Sequence, residues 1–201
     1  MWHNDGVTEQ RRRERPEKSV PKPLDAAALE RLALRYVERF ATTRGRLTDY
    51  LWRKIRERGW GEGAEDGPAV PAADPEALAQ RMADLGYIDD RGFAEARAAA
   101  MQRRGLGARR VAGAFREAGI DEADSTAIAP AIAERGVEAA LAYAKRKRVG
   151  PYARPGSESE GDRALRQKQL AAMVRAGHSF DLARKILAAA PSDSIDAADF
   201  D

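Results

Sequence analysis

Apolar residues recur along this chain with the 3.6-residue period of helices that bury one face. Leu29, Leu32, Ala33, Tyr36, Val37 and Phe40 form the first such stripe. Ahead of it Asp25 is placed as an N-cap, with Leu24 and Leu29 spaced as a hydrophobic staple. Thr42 or Thr43 opens a second helix through Leu47, Leu51 and Ile55, which stops at Gly59. Residues 61–73 read as a loop. Asp74-Pro75-Glu76 then starts a third helix carrying Leu78, Met82 and Leu85, closed by Gly86.

The same plan recurs. Ile88-Asp89 with Phe93 repeats the staple and cap before a helix from about Asp90 to Arg104, broken by Gly105 and Gly107. A second helix holds Val111, Phe115 and Ala118 and stops at Gly119-Ile120; a third, over roughly 122–135, contains Pro130, which predicts a kink or a late start. In a third copy Val137, Ala140, Leu141 and Ala144 share one helix, residues 150–161 form a loop, and Leu165, Leu170, Met173 and Val174 lie on the next helix, ending at Gly177-His178. Ser179 caps a last helix with Leu182, Ala183, Ile186 and Leu187.

Three basic helices thus end in Gly followed by a bulkier residue: Gly59-Trp60, Gly119-Ile120 and Gly177-His178, at spacings of 60 and 58 residues. That periodicity predicts an all-α protein of three tandem three-helix repeats forming an elongated, curved stack. The expected organisation is a disordered basic N-terminal tail over 1–23, repeats over 24–87, 88–135 and 136–190, and a loose acidic tail over 191–201.

Composition agrees with helix. Of 201 residues, 41 are Ala, against 8 Val and 7 Ile. The net charge of +3 conceals blocks: residues 24–60 carry net +4, 61–102 net −6, 103–120 net +4, 121–136 net −3 and 137–175 net +5. The middle helix of each unit lies in a positive block, so units stacked in register would line up a broken positive stripe. Of the basic residues 28 are Arg and 7 are Lys. Arg supplies a planar fork of donors suited to phosphate or carboxylate.

Little catalytic chemistry is present. The absence of Cys excludes thiolate nucleophiles, Fe–S clusters and Cys-ligated zinc, and two His cannot build a His-based metal site. There is no GxxxxGK[ST], HExxH or GxSxG motif. Gly105-Leu106-Gly107 reads as a turn, Asp89-Asp90 as a helix cap, and His178 as a packing or surface residue. Trp52 and Trp60 have rings that stack on bases, although Trp60 is placed to pack at its helix end. No apolar run reaches membrane-span length and no secretory h-region is visible. The expectation is a non-enzymatic cytoplasmic protein without cofactor or metal.

Gly86-Tyr87-Ile88-Asp89-Asp90, followed by Phe93-Ala94, resembles the G-Y-[LI]-D-D-x-x-F-A signature of the RecX regulatory proteins. Gly107-Ala108-Arg109-Arg110-Val111, Phe115 and Gly119-Ile120 resemble that family's next helix. Thr42-Thr43-Arg44-Gly45-Arg46-Leu47, Leu51 and Lys54 to Gly59 are similar to its S-R-x-E-L-x-x-K-L-x-x-K-G helix, with Thr and Gly replacing Ser and Glu. The third unit, Leu170 to Ile186, matches more weakly, and the whole resemblance covers about 25–189. The 61–73 loop and the 150–161 insertion depart from the family pattern.

The resemblance implies three tandem three-helix repeats and a protein that lies in the groove of the RecA recombinase filament on single-stranded DNA. There it would modulate, usually by inhibition, ATPase, strand exchange and coprotease activity, in the setting of recombination and SOS repair. Candidate contacts to recombinase or DNA are Arg44, Arg46, Arg53 and Lys54; Arg103, Arg104, Arg109 and Arg110; and Lys145, Arg146, Lys147, Arg148, Arg163, Arg166 and Lys168. Gly86, Tyr87, Asp89 and Phe93 are expected to be structural. A monomer suits groove binding, and duplex DNA is a further partner to consider. Two other readings stay open: a transcription-factor-like DNA-binding module acting without a recombinase, and a scaffold that binds only protein.

Overall fold

The computed structural model describes residues 22–61, 72–154, 163–189 and 197–200. Within them the helices are α1 (Ala26–Arg39), α2 (Arg44–Arg58), α3 (Pro75–Asp84), α4 (Asp90–Arg103), α5 (Ala108–Ala118), α6 (Glu122–Glu134), α7 (Gly136–Lys147), α8 (Arg163–Arg175) and α9 (Phe180–Ala188). Two 3-10 turns, Gly150–Tyr152 and Ala197–Phe200, complete the order, and no strand occurs among the described residues. The fold is all-α. The 1–21 stretch and most of the expected loops and C-terminal tail lie outside the described residues.

Helix starts follow local chemistry. Asp25, Thr43, Asp74, Asp89, Asp121 and Ser179 each occupy an N-cap, and each accepts a hydrogen bond from a backbone N–H of the first turn. Of the two threonines offered by the sequence, Thr43 is the cap of α2. Pro130 neither kinks α6 into two helices nor delays its start, since one helix runs from Glu122 to Glu134. Pro130 and Thr126, whose carbonyl loses its usual partner there, are both exposed, so water can take the freed acceptor.

Apolar stripes close into three cores. Leu29, Leu47, Leu51, Leu78 and Met82 fill the first, walled by α1, α2 and α3. Met101, Val111, Phe115, Ile128 and Ile132 fill the second, between α4, α5 and α6. Tyr143, Met173, Ala183 and Ile186 fill the third, between α7, α8 and α9. Ile88 packs in the first core, and Leu106 touches the second and third together. The expectation of a loose tail is corrected at 197–200. That segment turns in 3-10 conformation and buries Phe200 in the third core, and its carbonyl accepts from Lys185 Nζ at 3.2 Å. A single large apolar side chain near the end of an acidic segment is enough to dock it.

Candidate partner and nucleic-acid interface

The middle helices α2, α5 and α8 meet end to end at two junctions of similar construction. At the first, the N-terminus of α2 abuts the C-terminus of α5, and Thr43 Oγ1 donates to Ala118 O. A Cβ on Gly45 would lie 2.6 Å from Gly119 Cα, so only a pair of glycines permits this approach. At the second, the N-terminus of α5 abuts the C-terminus of α8. Gly107 N donates to Ala176 O at 2.9 Å and Arg109 N to Gly177 O at 3.2 Å. A Cβ on Gly107 would run into the Gly177 carbonyl. The N-terminal N–H groups of α5 thereby satisfy C-terminal carbonyls of α8, and the two helix dipoles meet with opposite ends together.

Arg44, at the start of α2, is held inside the first junction. Its backbone N–H donates to Asp90 Oδ1 at 2.9 Å and its Nε to Asp90 Oδ2 at 2.7 Å. Nη1 donates to Gln80 at 2.8 Å and Nη2 to Asp121 at 2.7 Å, with Asp124 at 3.7 Å. One guanidinium therefore joins α2, α3, α4 and α6. The bond to Asp90 raises the Arg44 pKa further above its ordinary value, against the opposing effect of burial. Asp121 is held below the usual carboxylate range, first by the Asp124 backbone N–H and also by Arg44. Asp124 is raised by burial and by the Asp121 charge.

Other candidate cations are distributed as follows. Arg46 lies with its guanidinium 5.3 Å over the Phe93 ring, bridging α2 to α4. Arg53 and Lys54 flank Tyr50, at 5.5 and 5.8 Å, and Tyr50 stacks on Tyr36 with ring centroids 4.3 Å apart. Both cations pair with Glu57, whose carboxyl is lowered first by the Lys54 hydrogen bond. Arg103 and Arg104, at the end of α4, come together with the end of α7: Arg146 Nη1 donates to Arg104 O, and its guanidinium lies 5.6 Å over Tyr143. Lys145, Lys147 and Arg148 are exposed at the same helix end. Arg109 and Arg110 are exposed at the second junction. Arg163 and Arg166 line a groove of about 260 Å³ between α8 and α9, while Lys168 is exposed on α8.

His178 is a core residue, 2% exposed, with Nε2 donating to Gly105 O at 3.2 Å and its ring edge-on to Tyr143. Burial keeps its pKa below the ordinary value. Trp52 donates from Nε1 to Glu76, and Trp60 packs on the first core. Asp89 caps α4 and Asp90 holds Arg44, so the acidic pair is structural. Tyr87 takes its structural part through the backbone, its N–H donating to Met82 O at 3.0 Å at the end of α3, while its ring is 53% exposed. Its neighbours in sequence all have internal partners, and the sequence carries no sign that this ring alone faces out.

No family model matches the chain. A curated regulatory protein RecX from Myxococcus xanthus (strain DK1622) is 32% identical over 175 residues, spanning 86% of this chain and 90% of that protein. The crystal structure of RecX from Lactobacillus salivarius shares the fold, with a TM-score of 0.57 and 20% identity over 80% of this chain and 92% of that one.

Proposed function

The chain belongs to the RecX family of regulatory proteins, and from that premise we propose that it binds the RecA recombinase filament on single-stranded DNA and modulates it, most often by inhibition. The three cores form a curved stack in this reading, following the groove of the filament and spreading many weak contacts along it. The observation that carries it is the pair of junctions setting α2, α5 and α8 end to end. Arg109, Arg110, Arg163, Arg166 and Lys168 stand exposed on those helices, with no ion pair to another described residue. Arg103, Arg104 and Lys145 to Arg148 add a second group of cations beside the second junction. Guanidinium groups without carboxylate partners suit phosphates and acidic recombinase side chains equally.

Arg44 has a different part. Its donors are taken by Asp90, Asp121 and Gln80, so it fixes the angle between the first two cores and leaves partner contact to its neighbours. Inhibition needs no catalytic group. A bound protein shifts the filament between states by its difference in affinity for them. ATP hydrolysis by RecA on single-stranded DNA, with this protein titrated in, tests the reading. Inhibition at or below equimolar protein, lost in an Arg109→Glu/Arg110→Glu variant of unchanged helicity, is the expected result. Undiminished hydrolysis overturns it.

A further inference from the structure

Within Gly86-Tyr87-Ile88-Asp89-Asp90, four residues serve the fold. Gly86 turns the chain at φ +80°, Ile88 fills the first core, Asp89 caps α4 and Asp90 holds Arg44. Tyr87 serves it through its backbone alone, the N–H donating to Met82 O at 3.0 Å at the end of α3, while its ring makes no hydrogen bond or ring contact to another described residue. It lines a groove of about 620 Å³ between the first two cores, together with Thr42, Arg46, Asp89, Phe93 and Arg97. Thr42 is 6% exposed and its Oγ1 is closed off from solvent, so it shapes the wall of the groove and offers no contact. Neither Arg46 nor Arg97 forms an ion pair with another described residue, and the Phe93 contact holds the Arg46 guanidinium in place.

We infer that this groove receives a nucleotide of single-stranded DNA. The inference rests on the reading above and locates one DNA contact within it. Tyr87, Arg46, Arg97 and Asp89 each meet a group that a nucleotide carries. The Tyr87 ring offers a stacking face for an unpaired base. Arg46 and Arg97 meet the phosphate. Asp89 spends Oδ1 on the Gly92 N–H at 2.8 Å, and its second oxygen suits an exocyclic amino group. Two guanidinium groups against one carboxylate leave the groove cationic, which favours an anionic occupant. The opening of about 620 Å³ is of the size that ordered small-molecule sites have.

The test uses the full chain and fluorescein-labelled oligodeoxycytidylate, whose bases carry an exocyclic amino group, with circular dichroism as the folding control. Tyr87→Ala weakens binding about tenfold, the range of a lost base–aromatic stack. Tyr87→Phe binds as the parent does, because the ring face carries the contact. Arg97→Ala lowers the slope of log affinity against log salt by about one. Unchanged affinity in Tyr87→Ala, with binding lost in Arg109→Glu/Arg110→Glu, overturns the groove and leaves the filament reading standing. Unchanged DNA affinity with weakened capture by RecA filaments assigns the groove to protein and likewise overturns the inference. Failure of the parent protein to bind either oligodeoxycytidylate or filament removes both.

Discussion

A methyl group on Gly45 would sit 2.6 Å from Gly119 Cα, closer than real side-chain carbons approach a neighbouring backbone. The backbone of α5 cannot yield as a flexible side chain would, so Gly45→Ala pushes the first two cores apart. The expected cost is about 1–3 kcal/mol, read as a melting point lowered by about 2–4 °C per kcal/mol. Gly136 is the control: a Cβ there meets nothing within 4 Å, so Gly136→Ala holds or slightly raises stability. Equal melting points for the two variants would remove the close packing claimed for the junction. His178 gives a pH signature. Its folded pKa lies below the unfolded value because burial disfavours the imidazolium. The unfolded chain therefore takes up a proton near pH 6.5, before the folded one does. The contribution is complete above about pH 6.5 and falls as pH drops from there toward the lowered folded value. Thermal melts at pH 7.5 and 5.5 should show this loss in the parent and a flatter response in His178→Gln, and equal slopes would contradict it. At this scale the sequence told much and concealed some. Caps such as Asp25 and Ser179 are local chemistry and were legible. The burial of His178 depends on Gly105, 73 positions away, and no local pattern encodes that hydrogen bond.

Helix α2 shows how an element acquires its orientation. Its cap, Thr43, faces two ways: the side chain accepts from Arg46 N at 3.2 Å and donates to the last turn of α5. The next residue, Arg44, ties the same helix end to α3, α4 and α6. Arg44→Met strands Asp90, 6% exposed, without a counter-charge beside Asp121 and Asp124. The loss is about 2 kcal/mol, under the roughly 3–5 kcal/mol of a fully buried pair because Arg44 itself is part-exposed. Arg44→Lys restores little of it, since one ammonium cannot span Asp90, Gln80 and Asp121 together. Full stability in Arg44→Lys, measured by chemical denaturation, would contradict the clasp. The helices themselves were readable from period and caps, and Gly59 and Gly119 marked two of their ends correctly. The clasp was not, because Arg44 and Asp90 lie 46 positions apart and each reads alone as an ordinary surface charge. Pro130 sits inside a single helix from Glu122 to Glu134, where it and Thr126 are both exposed.

At the scale of the whole molecule, the glycine spacing of 60 and 58 residues corresponds to contacts the sequence could not display. Gly119 and Gly177 stop helices, and each also gives the preceding middle helix room to abut: Gly119 receives Gly45, and Gly177 receives Gly107. One small residue serves as a helix stop and as a joint between cores. The positive blocks along the chain therefore belong to helices whose ends touch. The exposure of the Tyr87 ring stayed hidden in the sequence because a motif dense in turn and cap residues gives no sign of which side chain faces out. The most direct measurement of the central claim is co-sedimentation of this protein with RecA filaments assembled on single-stranded DNA. Saturable binding is predicted, weakening with added salt, and reduced at least tenfold when Arg109 and Arg110 are both reversed to Glu. Binding that ignores those two reversals, or no binding to the filament at all, would contradict it.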